Sequence, residues 1–267
     1  MTTDTTHDIA AFAEAWRAWH HDHETRRADP HGFLAITGLH WLSEEPARFP
    51  DAPGAWHTGP DGIVVELDEG ESLEVDGATV TGRHAFGVIP ERGGVNVDYG
   101  DAVIEVARRA GNDIVRPRHP DSPVLAAYTG TSAYAPDPAW AVPAHYTPYD
   151  APVDTTVGSV VEGLEHVYGA VGELAFEVDG RPLRLVAFPG YTPDSVSVLF
   201  RDRTSGVTTY PAVRSVTVPL PADGAETVVD FNRAVNLPCA YTEHATCPLP
   251  PAGNDLPVAV EAGEKTP

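Results

Sequence analysis

The sequence predicts a mainly β protein, an antiparallel sandwich- or barrel-like fold with one long N-terminal helix. Asp-Gly pairs at 76–77 and 179–180 each separate two alternating apolar–polar segments, which is the pattern of a β-hairpin with a type I′ turn. The chain contains 26 prolines and 24 glycines, a density that suits many short strands and tight turns. Helical periodicity does not recur between the apolar runs, as a parallel α/β sheet would require.

The one long helix is predicted at residues 7–27. Apolar side chains follow a helical spacing there and form one stripe: Ile9, Phe12, Trp16 and Trp19. Asp29-Pro30 ends the helix. Because the stripe holds two tryptophans, we expect it to pack on an apolar surface.

Short apolar or alternating runs predict the strands at 72–75, 78–81, 103–106, 173–178, 181–188, 195–201, 207–210, 213–218 and 226–231, with 258–260 as a last candidate. Residues 155–167 suit either a short helix or a strand. The predicted division is an N-terminal helix at 1–30, an N-terminal β region at 31–116 and a C-terminal β region at 117–267.

Composition excludes several classes of partner. The 267 residues suffice for a substantial core in one or two domains. The formal net charge of -22 repels nucleic-acid backbones and anionic membranes, so neither is predicted as a partner. No apolar run approaches the roughly 18 residues of a membrane helix, and the N-terminus lacks the basic and apolar regions of a secretory leader. We therefore expect a cytoplasmic location.

The acidic excess also predicts a response to salt. Thirty-nine acidic residues face 17 basic ones, and their mutual repulsion in the folded state is screened over about 10 Å at 0.1 M salt. We expect the melting temperature to rise between millimolar sodium chloride and about 0.1 M, as measured by calorimetry at fixed pH. A steady fall over that range would contradict this prediction.

Two cysteines and a group of histidines are the conspicuous chemical side chains. A cytoplasmic location disfavours a disulfide between Cys239 and Cys247, so we expect both to be reduced. Inert packed thiols are the favoured interpretation, and a catalytic thiol or half of a metal site are the alternatives. Histidines cluster at 20, 21, 23, 31 and 40. His20 and Glu24 have the i, i+4 spacing of helical metal ligands, but the three imidazoles of the run do not share one face, and the run favours a solvated helix face over a metal site. No metal ligand is assigned. No cofactor is predicted, and phosphate-binding and dinucleotide-binding loops are missing from the sequence.

Polar residues concentrate where two predicted strands end, near 201 and near 231. Each strand end carries an arginine and an aspartate, and loops on a rigid sheet are where sites concentrate. The predicted site consists of the ligand-binding residues Arg201, Asn232 and Asn236 and the catalytic residues Asp202, Arg233, Cys239 and Tyr241.

Side-chain chemistry suggests a role for each group. The guanidinium groups of Arg201 and Arg233 suit a small anionic ligand, Asp202 suits a base, and Tyr241 or Cys239 suits a proton donor or nucleophile. The function predicted is a small-molecule-binding protein or enzyme. The same charges also fit a structural network that holds the proline-rich tail. Two other functions stay open, a non-catalytic interaction module and a histidine-ligated metalloprotein.

The C-terminal region carries a long motif. It runs Asp230-Phe-Asn-Arg-Ala-Val-Asn236, then Pro238-Cys-Ala-Tyr-Thr242, and continues through 245–251 to Glu261-Ala-Gly-Glu-Lys265. Shorter matches lie upstream at 32–42 and 200–206. This pattern resembles the closing signature of the bacterial and archaeal domain-of-unknown-function family 1684, over most of residues 25–265. The resemblance implies a mostly β, cytoplasmic protein and brings no established activity, so it assigns no catalytic residue.

Overall fold

The computed structural model describes residues 2–220 and 225–267. They form two compact units. The larger unit comprises Met1–Thr25, Gly130–Ala240 and Cys247–Pro267, and the smaller unit comprises Arg26–Thr129 and Tyr241–Thr246. The three-part division derived from the sequence stays a prediction.

Helix α1 spans Thr2–Arg27 and therefore begins five residues before the predicted start. The expected stripe is half-buried from Phe12 through Trp16 and Trp19, whereas Ile9 is exposed. Within residues 2–220 and 225–267, no helix has both the length and the apolar character needed to cross a membrane.

The smaller unit is an antiparallel sandwich of two sheets with one core. Its strands are β1 (His40–Trp41), β2 (Ala47–Phe49), β3 (Ala52–Gly59), β4 (Gly62–Glu66), β5 (Leu73–Val75), β6 (Ala78–Val80), β7 (Arg83–Gly87), β8 (Gly94–Tyr99), β9 (Ala102–Arg109) and β10 (Asn112–Arg118), followed by the short helix α2 (Pro123–Ala127). The strand orders are β1-β10-β9-β8-β5-β6 and β2-β3-β4-β7. Trp56 and Ile63 from the second sheet share a core with Ile104 and Val115 from the first, so the sheets pack face to face.

The larger unit is built on one seven-stranded sheet with the order β16-β11-β12-β13-β14-β15-β17. Its strands are β11 (Ala141–Gly158), β12 (Glu165–Val178), β13 (Arg181–Pro189), β14 (Ser195–Phe200), β15 (Arg214–Pro219), β16 (Glu226–Asp230) and β17 (Val235–Asn236). The core joins Leu185 and Phe200 from the sheet to Phe231, and Leu256 and Val260 from the C-terminal segment complete it. The non-periodic tail is therefore part of the fold.

The predicted mainly β fold class is confirmed. The backbone of the two Asp-Gly turns shows why the flanking segments form hairpins. Asp76 and Gly77 have φ of 51° and 76°, and Asp179 and Gly180 have φ of 51° and 74°. Both central residues of each turn are thus left-handed, as a type I′ hairpin requires. The strand orders are open, which makes the architecture sandwich-like. The ambiguous segment 155–167 contains the end of β11, the turn at 159–164 and the start of β12.

Two strand predictions are wrong, and in each case other groups take the backbone hydrogen bonds. Segment 207–210 forms a tight turn, because the amides of residues 207, 208 and 209 all donate to the Thr204 carbonyl. Segment 258–260 is irregular. The Val260 amide donates to Asp202 Oδ1, and the Val260 carbonyl accepts from Arg214, so charged side chains replace a neighbouring strand.

Candidate functional site

Three potential metal ligands meet within the larger unit. His20 and Glu24 come from α1 and Glu264 comes from the C-terminal segment, and one ligand atom of each lies within 4.8 Å of the others. His23 adds a second imidazole, since its Nε2 is 3.6 Å from Glu264 Oε1. We call these four residues the histidine–glutamate cluster. It joins the two ends of the chain.

Helical spacing and aromatic stacking position the two imidazoles. His20, His23 and Glu24 stand at i, i+3 and i+4, so they share one face of α1. The Trp16 ring stacks on the His20 ring at 4.7 Å between centroids, and the Trp19 ring stacks on the His23 ring at 5.3 Å. The tryptophan stripe therefore fixes the ring planes of the histidines.

Backbone amides orient both carboxylates. Glu24 Oε2 accepts a hydrogen bond from the Thr131 amide at 2.9 Å, and Glu264 Oε2 accepts one from the Asn236 amide at 2.7 Å. The other oxygen of each, Oε1, faces a histidine: Glu24 Oε1 lies 4.0 Å from His20 Nε2, and Glu264 Oε1 lies 3.6 Å from His23 Nε2. A backbone amide bound to one oxygen in this way fixes the orientation of each carboxylate.

Burial makes the charge of the cluster important. The Glu264 side chain is 2% exposed, and the Glu24 and His20 side chains are 16% and 21% exposed. A buried carboxylate is costly unless it is paired or coordinates a cation. Each carboxylate therefore needs a positively charged or hydrogen-bonding partner, which an imidazole or a bound cation can supply.

Three of the predicted site residues contact residues of this region. The carbonyl of Asn232 accepts a hydrogen bond from the Trp16 indole at 2.7 Å. The Arg233 guanidinium carbon lies 5.3 Å from the centre of the Trp19 ring, and Asn236 supplies the amide that holds Glu264. Asn232 and Arg233 of the C-terminal motif thus contact the tryptophans that stack on the two histidines of α1. That all the predicted residues line one depression stays a prediction.

Asp202 lies in a buried ion pair. Its Oδ2 is 2.8 Å from Arg214, and the two side chains are 0% and 1% exposed. Arg214 also donates to the carbonyls of Val260, Ala262 and Glu264, so this pair fastens the C-terminal segment. Arg214 is not among the predicted site residues. Its one indication in the sequence is a charged side chain at the start of an apolar strand. Arg201, by contrast, is exposed and pairs with Asp255 at 3.0 Å.

The last two predicted residues belong to different units. Cys239 lies half-buried in a short 3-10 turn of the larger unit, next to the buried Cys247. Tyr241 belongs to the smaller unit, where its ring contacts Phe33 and the guanidinium of Arg27. Their catalytic roles stay predictions.

The smaller unit has an open depression of about 660 Å³, lined among others by Arg48, Asp51, Glu71 and Tyr99. Its charges are largely paired. Arg48 contacts Glu71 at 3.1 Å, and Asp51 contacts His40 at 2.7 Å. Hydrogen bonding from Arg48 lowers the pKa of Glu71 to about 2. The geometry of these groups is that of surface ion pairs.

Comparison with known proteins agrees with the C-terminal motif. Residues 126–265 match the family described as "Protein of unknown function (DUF1684)". The chain belongs to this family. An uncharacterized protein of Haloarcula marismortui, solved by solution NMR, is 34% identical, with 52% of this chain and 77% of that chain covered and a TM-score of 0.44. No curated protein matches the sequence. The matched range of this family includes Glu264 and both cysteines, whereas His20, His23 and Glu24 on α1 precede it.

Proposed function

We propose that this family member binds a divalent transition-metal ion at the histidine–glutamate cluster and that the ion binds a small anionic ligand. One observation carries the proposal: ligand atoms from His20, Glu24 and Glu264 lie within 4.8 Å of one another, and a backbone amide holds each carboxylate. One imidazole nitrogen and two carboxylate oxygens form a donor set suited to zinc, manganese or iron, and His23 lies beside Glu264 at 3.6 Å.

Such an ion supplies Lewis acidity and an activated water molecule. Three protein ligands leave at least one coordination position for water or a small ligand. Arg233 supports an anionic ligand, because its side chain is 43% exposed and lies over Trp19, which stacks on His23. The Trp19 ring thus lies between Arg233, the predicted anion-binding arginine, and His23.

Metal titration of paired histidine variants tests the proposal. The purified chain, stripped with a chelator, is titrated with Zn²⁺ and Mn²⁺ by calorimetry and with Co²⁺ by visible absorption. We expect one ion per chain. We expect His20→Ala to lower metal affinity about 100-fold, because loss of a residue that only holds a ligand in place already lowers affinity 10–100-fold.

Two further variants make the result specific. His21→Ala removes the adjacent imidazole, which is exposed on another face of α1, and should leave affinity unchanged. Glu264→Gln keeps an oxygen for the Asn236 amide but lacks the charge, and should weaken binding about as much as His20→Ala. Equal affinities in His20→Ala and His21→Ala, or no uptake of the three ions by the unaltered chain, would overturn the proposal.

A further inference from the structure

A second chemical site lies in the larger unit, where Cys239 and Cys247 meet. The backbone amide of Cys239 donates to Cys247 Sγ at 3.3 Å, and the two cysteines are not joined by a disulfide. The Cys247 carbonyl is held by the Val160 amide at 3.0 Å and by the Ser159 hydroxyl at 3.2 Å. The two thiols are therefore adjacent, with Cys247 fixed by its backbone.

The two cysteines differ in access and in chemistry. Cys239 is half-buried, whereas Cys247 is 6% exposed, so small reagents reach Cys239 first. A hydrogen bond with the Cys247 thiol lowers the pKa of Cys239 against the opposing effect of burial, and Tyr210 lowers it further. Thiolates, not thiols, are the nucleophiles in disulfide chemistry.

Tyr210 is suited to remain a hydrogen-bond donor. Its hydroxyl donates to the Cys239 carbonyl at 2.6 Å. Burial, then the neighbouring Cys239, raise the pKa of Tyr210 to about 12, so the phenol keeps its proton at neutral pH. Tyr210 is thus a positioning residue for Cys239.

We infer that Cys239 and Cys247 form a thiol–disulfide exchange site for small disulfides, independent of the proposed metal site. The Cys239 thiolate attacks one sulfur of the small disulfide, forming a mixed disulfide and releasing one thiolate. Cys247 then loses its proton and attacks Cys239 Sγ, which forms the Cys239–Cys247 disulfide and releases the second thiolate. The protein dithiol is oxidised by two electrons and the small disulfide is reduced to two thiols.

Reaction with oxidised glutathione, followed by intact mass, tests the inference. The unaltered chain should lose two hydrogens and release two glutathione molecules. Cys247→Ser should stop at one attached glutathione on Cys239. Cys239→Ser should react at least about tenfold more slowly, because Cys247 is buried and small reagents reach it poorly. Circular dichroism of both variants verifies that they are folded.

The pH dependence of the reaction rate in Tyr210→Phe distinguishes a positioning role of Tyr210 from a purely structural one. Its rate at neutral pH should fall, and the midpoint of its pH–rate profile should move upward, while the rate at high pH recovers. The inference is overturned if Cys239→Ser reacts as fast as the unaltered chain, or if the unaltered chain accumulates the mixed disulfide without releasing the second thiol.

Discussion

Arg214→Met should lower the free energy of unfolding of the larger unit by about 3–5 kcal/mol, the cost of removing one partner of a buried ion pair. The substitution leaves the Asp202 carboxyl group, at 0% side-chain exposure, without its guanidinium partner. It also removes the donor to three carbonyls of the C-terminal segment, at Val260, Ala262 and Glu264. The long apolar side chain of methionine keeps most of the volume, so the loss reports the charge and its hydrogen bonds.

Arg233→Met is the matched control. Arg233 is also paired, with Asp230 at 3.2 Å, but its side chain is 43% exposed. Exposed pairs contribute about 0–1 kcal/mol, so stability should change by less than about 1 kcal/mol. Urea denaturation measures both variants, and hydrogen exchange of β14 and β15 localises the effect. A loss under 1 kcal/mol in Arg214→Met would show that this pair does not hold the tail.

The comparison also separates the two interpretations that the sequence left open for the charges of the C-terminal region. Asp202 and Arg214 are buried and fasten the tail, which is the geometry of a structural network. Arg233 is half-exposed beside Trp19 and pairs with Asp230, which is the geometry of a surface ion pair. A stable Arg233→Met variant therefore also allows an anion-binding measurement without a folding defect.

Much of the sheet architecture is predictable because hairpin signals are local. An Asp-Gly pair needs nothing beyond its own backbone preference to specify a type I′ turn, and both such turns are found. The failures at 207–210 and 258–260 are non-local. Apolar composition suggested strands there, but the Thr204 carbonyl and the Asp202–Arg214 pair take the hydrogen bonds.

The candidate site shows the same division. The spacing of His20 and Glu24 is visible in the sequence, and it indicated only a solvated face. Glu264 is contributed by the opposite end of the chain, and its burial depends on the packing of the tail against Ala234 and Asn236. Single-sequence analysis has no access to such long-range contacts. A tryptophan stripe alternating with histidines, at Trp16–His20 and Trp19–His23, is the local signal that identifies this face as packed.

A second large effect is expected in the smaller unit, at Glu105 on β9. Its carboxylate contacts three guanidinium groups, of Arg109 at 2.5 Å, Arg116 at 2.8 Å and Arg118 at 2.5 Å, and its side chain is 7% exposed. Burial alone would raise the pKa of Glu105, but the three arginines lower it below the ordinary value of 4.5. Glu105→Gln leaves three partly buried cations without their anion and should cost about 3–5 kcal/mol at pH 7.

The pH dependence of this loss gives a second, independent measurement. Because the folded-state pKa of Glu105 is lowered, its contribution to stability is complete above about pH 4.5 and is lost as the pH falls through the folded pKa. The difference in unfolding free energy between the unaltered chain and Glu105→Gln should therefore be constant from pH 7 to about 5 and shrink below about 4. Hydrogen exchange of β9 and β10 across this range measures it. Glu74 is an exposed glutamate on β5, and the control variant Glu74→Gln should change stability by less than about 0.5 kcal/mol. A stability difference for Glu105→Gln that does not depend on pH would mean that the charge of Glu105 contributes nothing to the fold.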